Sequence, residues 1–324
     1  MATTTTADPV TAIDRLPRRR RWIPVSLTYR EIWACAPGYQ KFLVLVGSAL
    51  LLFAGVHVAV LVTTGGTWHG DVSLRQPVVF GESFGLTCLS LAWISSYLPV
   101  SRVRGWRLLG TFGAAAVGET FLVSIQQWRG VTAFYNVSTP FDWMVFFLMG
   151  VLGVVVMFCI FFTTMWIFVS LRAPKSFTWA IRLGALLLAS SQVLGAIMIT
   201  NGLVQLTINR GGAPDLIGRA AALRLPHALT LHGLQLLMPL GWLLLHTDWS
   251  EARRTRIVVA AALACTWLVV IAFCQTFSGR APLEPGTAIG VQLMICAAIL
   301  TAAYLVTLIA LARPRCARNA AGNS

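Results

Sequence analysis

Charge is what this chain has least of. Only 11% of its 324 residues are charged and eleven are acidic, against 57% hydrophobic. A water-soluble domain needs a larger charged fraction to cover its core, so that class is excluded. Lysine is almost missing: Lys41 and Lys175 stand among 25 basic residues, the rest arginine. With abundant Ala, Gly, Val and Leu, this composition fits a GC-rich bacterial genome and a bacterial plasma membrane. The first 21 residues hold no apolar stretch and are not expected to be a cleavable signal peptide. No nucleophile elbow, phosphate-binding glycine loop, zinc helix motif or dinucleotide fingerprint is present. The seven cysteines, Cys35, Cys88, Cys159, Cys265, Cys274, Cys296 and Cys316, show no close pairing, and five lie inside apolar runs. They read as small buried apolar residues rather than disulfides or metal ligands.

What is present is a series of apolar runs, each long enough to cross about 30 Å of hydrocarbon at about 1.5 Å per residue. Eight are expected: Lys41–Thr63, Pro77–Leu98, Trp106–Trp128, Asp142–Ser170, Trp179–Ile208, Pro226–His246, Arg256–Phe277 and Gly286–Ala312. The fold class is therefore all-α integral membrane, with a transmembrane domain over residues 41–312. Residues 1–22 read as a disordered cytoplasmic tail and 313–324 as a second cytoplasmic tail. Residues 23–40 mix aromatic and charged side chains, as an interfacial segment does.

Orientation follows from the basic residues, which cytoplasmic loops retain. With the N-terminus inside, the inner segments hold Arg15, Arg18, Arg19, Arg20, Arg21, Arg30 and Lys41, then Arg102, Arg104 and Arg107, then Arg172, Lys175 and Arg182. Arg253, Arg254, Arg256, Arg313, Arg315 and Arg318 complete that side. The outer loops keep only Arg75, Arg129, Arg210, Arg219, Arg224 and Arg280. An N-in, C-in topology is expected. The net charge of +14 is thus spread over loop ends, which suits anchoring to anionic membrane lipids and gives no reason to expect a nucleic-acid partner.

The chain also matches itself at an offset of 146 residues. Gly65-Gly66 corresponds to Gly211-Gly212, and Thr120-Phe-Leu-Val-Ser-Ile125 to Thr266-Trp-Leu-Val-Val-Ile271; with a small insertion, Arg75-Gln-Pro77 corresponds to Arg224-Leu-Pro226. Two tandem four-helix halves, 41–170 and 179–312, would then share one topology about an axis along the membrane normal. The alternative is chance likeness between apolar segments.

Polar side chains inside the spans favour the outer half. An ionisable group there costs on the order of 2.5–3.5 kcal/mol and usually faces a bundle interior or cavity. By helical rise, Glu119 lies about 13 Å below the outer surface, Glu82 about 8 Å, and His57 and His232 about 9 Å. Asn201 and Gln205 share a face of the fifth span, Gln235 follows His232 by three, and Gln126 is nearly in phase with Glu119. Glu119, as a neutral acid at that depth, has two readings: a proton donor working with His232 as base and Glu82 assisting, or packing glue bonded to Gln126 or to a neighbouring helix. The outer loop Trp128–Asp142, containing Asn136, is the most specific-looking stretch. Arg129 there reads either as an anion clamp for a substrate head group or, with Trp128, as an interfacial residue beside a turn capped by Thr139 or Asp142.

His227 and His232 are five apart, a turn of about 140°, and so do not share a helical face as a zinc pair would. Haem held between His57 and His232, at matching depth, is a remaining cofactor option; no other cofactor is expected. The layout of eight spans in two halves resembles haem A synthase, although the paired histidines of that family are missing here. Arg75-Gln-Pro-Val-Val-Phe-Gly-Glu-Ser-Phe-Gly-Leu86, Glu119 through Trp128-Arg-Gly130, Thr139-Pro-Phe-Asp142 and Pro226-His-Ala228 through His232-Gly-Leu-Gln235 resemble a group of actinobacterial multi-pass membrane proteins with no assigned activity. The expected function is a membrane-embedded enzyme using acid–base chemistry on a lipid or isoprenoid-like amphiphile. The alternatives are a proton-coupled transporter of a small amphiphile and a haem-binding or structural subunit. Oligomeric state is left open.

Overall fold

The computed structural model describes residues 33–70, 72–207, 216–217, 221–278 and 286–312. Eight helices in it are long and apolar enough to cross a membrane: α1 (Gly38–Thr63), α2 (Arg75–Ser95), α3 (Arg102–Trp128), α4 (Pro140–Ser170), α5 (Lys175–Thr207), α6 (Arg224–Leu245), α7 (Glu251–Phe277) and α8 (Thr287–Ala312). Residues 1–22, residues 313–324 and Gly211-Gly212 of the repeat match lie outside the described residues. Between α5 and α6, Leu216–Ile217 and Ala221–Ala222 pair antiparallel. Large apolar side chains such as Phe121, Phe158, Met165, Leu263 and Met294 are more than half exposed, the arrangement hydrocarbon accepts and water does not. The chain is a multi-pass helical membrane protein.

Several helices begin earlier than the apolar runs indicate, because their first turns are polar. Ser101 accepts from the Arg104 amide, Thr139 from Asp142 and Ser250 from Arg253, each a side-chain cap on an otherwise orphan N–H. These caps start α3, α4 and α7 four, two and five residues before the expected positions. At the other end of α2 the helix stops at Ser95 rather than Leu98, where Ser96, Tyr97 and Leu98 close a turn onto Trp93, Ile94 and Ser95. Within the expected interfacial segment, Trp33–Cys35 is helical and Gly38–Gln40 already belong to α1.

Consecutive spans run antiparallel, so basic residues gather at one end. Among the described residues Lys41, Arg102, Arg104, Arg107, Arg172, Lys175, Arg182, Arg253, Arg254 and Arg256 stand at or near that arginine-rich end, and Arg75, Arg129 and Arg224 at the other. Helix α1 packs on α2 and α5 on α6, while α3 packs on α4 and α7 on α8. Glycines allow the first two approaches. A Cβ on Gly81 would stand 2.8 Å from the Leu50 carbonyl and one on Gly47 2.8 Å from the Gly85 carbonyl. On the other pair, a Cβ on Gly184 would meet the Leu234 backbone at 2.7 Å and one on Gly241 the Ala180 side chain at 2.6 Å. Small residues at such crossings replace the hydrophobic drive that lipid cannot supply.

Across the middle, Trp93 of α2 meets Trp242 of α6 edge-on, ring centroids 5.7 Å apart. Both tryptophans end similar triplets, Leu91-Ala-Trp93 and Leu240-Gly-Trp242. Their offset of 149 residues is the one that relates Arg75 to Arg224 and Pro77 to Pro226.

The arginine-rich end is tied by polar contacts absent from the expected one-sided layer. Gln40 donates to Ser95 Oγ at 2.8 Å and Ser96 Oγ at 3.2 Å, Tyr39 lies against Gly105, and Glu251 of α7 accepts from the Ser176 amide of α5 at 2.5 Å. Gly81→Val, which pushes a branched side chain into the α1 backbone, should cost about 1–3 kcal/mol. The melting temperature in detergent should fall by several degrees, and an unchanged value would mean that α1 and α2 separate without cost.

Candidate functional site

The polar residues at the arginine-poor end fall into separate groups rather than one layer. The first joins α1 to α3. His57 is buried, its Nδ1 2.9 Å from the Phe53 carbonyl and its Nε2 3.0 Å from the Trp128 indole nitrogen. A carbonyl only accepts and an indole N–H only donates, so the proton must sit on Nδ1 and Nε2 must accept. The two rings also stack, 5.7 Å apart and 11° from parallel. Both nitrogens are engaged, and a haem iron at His57 would have to break the Trp128 bond.

The second group closes the α3–α4 turn. Thr139 caps α4, accepting from the Asp142 amide at 3.1 Å while its hydroxyl donates to Asp142 Oδ2 at 2.7 Å. Asp142 Oδ1 accepts from Arg129 Nη1 at 2.6 Å and from Gln126 Nε2 at 3.0 Å, and Arg129 also donates to Gln126 Oε1 at 2.5 Å. The Arg129 guanidinium lies 4.6 Å from the centre of the Phe141 ring. The turn is capped, and the Arg129 charge is paired with Asp142. Asn136 is buried and accepts from the Ser138 amide at 3.1 Å, a local turn bond. Beside it Tyr135, the one non-glycine among the described residues with positive φ (58°), donates to the Met198 carbonyl at 3.1 Å and packs on Gly202. The loop thereby docks on α5 next to half-buried Asn201.

Glu119 stands apart from both groups. It lies on the inward stripe of α3 between the cluster around Phe112 and Ala116 and the one around Val123 and Met149. One carboxyl oxygen is 3.4 Å from where a Cβ on Gly153 of α4 would be. No hydrogen bond or ion pair to it occurs among the described residues, and the expected bond to Gln126 is replaced by the Gln126–Asp142 contact.

The remaining group crosses from α2 to α6. His232 Nε2 is 3.9 Å from Glu82 Oε2, and the two side chains are 29% and 44% exposed. One turn deeper, Gln235 Nε2 donates to Thr87 Oγ1 at 3.3 Å, while Gln235 Oε1 is buried with no partner among the described residues. Helix α6 is interrupted here: Arg224–Leu231 ends at His232 (φ −88°, ψ 1°) and the helix resumes at Gly233. Those angles lie in the sparsely populated bridge region. Pro239, four residues after Gln235, has no N–H to answer the Gln235 carbonyl. His227 faces away, its Nδ1 2.9 Å from the Ser191 carbonyl of α5, so the two histidines of α6 address different helices.

The structure thus brings Glu82, His232 and Gln235 together, groups Gln126, Arg129 and Asp142 separately, and leaves Glu119 against α4, His57 against Trp128, and His227 and the Asn136 loop against α5. Trp128, Thr87 and Ser191 were missed as partners. Trp128 reads in sequence as an interfacial anchor, and a hydroxyl inside an apolar run gives no sign of what it faces.

No group of three His, Cys, Asp or Glu side chains able to hold a metal ion occurs among the described residues. Comparison with protein-family models, with curated proteins and with solved structures finds no match to this chain. Asp142→Ala should lower the melting temperature by several degrees and Arg129→Ala by less, with the double variant losing less than the sum. Strict additivity in that cycle would show that the pair is uncoupled.

Proposed function

We propose that the chain is a membrane-embedded enzyme that uses Glu82 and His232 as an acid–base pair on a lipid or isoprenoid-like amphiphile. The observation that carries this reading is the approach of a carboxyl and an imidazole from different spans, half-exposed within helices that cross a membrane. At 3.9 Å they are too far apart to share a direct hydrogen bond, yet an oxygen can sit about 2.8 Å from each. A substrate hydroxyl or a water in that position meets a base on one side and an acid on the other. One group can then take a proton from the substrate while the other returns one at a second atom, the net change of an isomerisation or cyclisation. Gln235, with its unanswered oxygen one turn deeper, is placed to orient a donor group of the same substrate.

The site is read as opening to the extracytoplasmic face of a bacterial plasma membrane, with both termini cytoplasmic. The excess of arginine at the opposite end supports that orientation. The chain is also read as two tandem four-helix halves meeting at α2 and α6. The paired Leu-x-Trp triplets, the Trp93–Trp242 contact and the like pairing of α1 with α2 and α5 with α6 support it. In this account Glu119 fills the gap beside Gly153, and Arg129 and His57 are structural residues.

A second reading rests on the interruption of α6. Spans broken at membrane depth mark the binding sites of many transporters, and a proton-coupled transporter of a small amphiphile could use the same pair as its relay. Mass spectrometry of molecules that co-purify with the protein supplies the substrate. With that compound, Glu82→Gln and His232→Gln should each lower turnover at least about 100-fold with the melting temperature retained, while Glu119→Gln keeps most of it. Loss of turnover in Glu119→Gln alone would move the chemistry to α3. Flux in proteoliposomes that follows a proton gradient, without chemical change of the compound, would establish the transporter instead.

A further inference from the structure

At the arginine-rich end, far from the Glu82–His232 pair, a groove of about 430 Å³ opens sideways between the start of α3 and the end of α4, lined by Arg104, Arg107, Leu108, Phe162 and Trp166. We propose that it is a binding site for one anionic phospholipid of the leaflet at that end. Arg104, Arg107 and Leu108 are spaced i, i+3 and i+4 and so share a face of α3. Phe162 and Trp166 are one turn apart on α4. The groove is therefore charged toward the membrane surface and apolar toward its interior.

Trp166 lies about 6 Å inside the end of α4 at Ser170, the depth at which tryptophan meets lipid head groups. Arg104 and Arg107 are exposed, and neither has an acidic partner among the described residues. This contrasts with Arg129 and Arg254 on the same chain, which hold Asp142 and Glu251. Their position in the first turns of α3 adds like charge to the positive end of a helix, which an arriving phosphate relieves and a neutral head group does not.

Local packing fixes the lip of the groove. Trp106–Gly110 forms a π-helical turn, with the Trp106 ring over Gly110 and the Phe42 ring tilted against it, centroids 5.5 Å apart. Tyr39 covers Gly105. The arginines therefore project from a turn whose other face is held by α1. Charge selects the head group and Leu108 with Phe162 receives an acyl chain. A second groove, between α1 and α3, is lined by Phe42, Leu50, Phe53, Phe121 and similar residues and has no charge with which to select one.

The site stands independently of the acid–base reading. Native mass spectrometry in detergent, titrating phosphatidylglycerol against phosphatidylcholine with the same acyl chains, tests it. Wild type should retain the anionic lipid on the order of tenfold better. Arg104→Gln/Arg107→Gln should bring it to the level of the zwitterionic lipid, with an unchanged melting temperature reporting an intact fold. Arg172→Ala/Arg256→Ala, which removes the same charge from the same end away from the groove, should keep the preference. Should the first double variant fail to fold, Trp166→Ala is read instead and should weaken retention of both lipids. An equal loss in the Arg172/Arg256 control, no loss in the Arg104/Arg107 variant, or displacement of the lipid by millimolar inorganic phosphate would each overturn the proposal.

Discussion

Hydrocarbon does not solvate a polar group, and the organisation of this protein follows from that constraint. Most polar side chains within the spans find an acceptor or donor close by. Hydroxyls such as Thr120, Ser124 and Thr163 return to carbonyls four residues earlier on their own helix, while Gln40 and His57 reach across to neighbouring helices. Glycines at Gly47 and Gly81 bring α1 close to α2, and Gly184 and Gly241 bring α5 close to α6. Like Glu119 and buried hydroxyls such as that of Thr255, the α2–α6 junction departs from that pattern of answered groups. A carboxyl and an imidazole face each other without a hydrogen bond, a glutamine oxygen is unanswered, and proline removes a further donor.

The same constraint explains how much was legible in the sequence. Eight spans could be read because a 20-residue apolar run has few other uses, and the Thr139 cap with Asp142 in the first turn of α4 could be read because capping is local chemistry, whereas the pairing of Arg129 with Asp142 could not. What could not be read was facing. Helical phase correctly separates His227 from His232, yet nothing in the order of residues says that His57 meets Trp128 or that Glu119 points at Gly153. Depth alone suggested one polar layer with His57, Glu82 and His232 at similar depth and Glu119 deeper, since residues at similar depth look equivalent until the helices are arranged around an axis. Gln40 escaped notice because the span was begun one residue later, at Lys41. The Leu-x-Trp triplets were a signal present in the sequence, and they carry more weight now that Trp93 and Trp242 touch.

The two ends of the bundle resolve their charges differently. At the arginine-poor end, Arg129 is neutralised within the fold. At the arginine-rich end, Glu251, paired with Arg254, links α7 to α5, while Arg104 and Arg107 project over an apolar groove with no such partner. A membrane protein can leave cations at its surface because lipid phosphates are available there. It cannot leave a carboxyl half-exposed at depth unless water or a polar ligand reaches it.

That last requirement is the central claim, and thiol labelling tests it directly. In a background with exposed Cys35 and Cys274, and Cys316 of the C-terminal segment, replaced by serine, a membrane-impermeant thiol reagent should modify Glu82→Cys from the extracytoplasmic side and not from the cytoplasmic side, because only a hydrated thiolate reacts. Glu119→Cys should remain unmodified from both. Failure to label position 82 from either side would mean that Glu82 faces lipid or packed protein, and the site described between α2 and α6 would not exist.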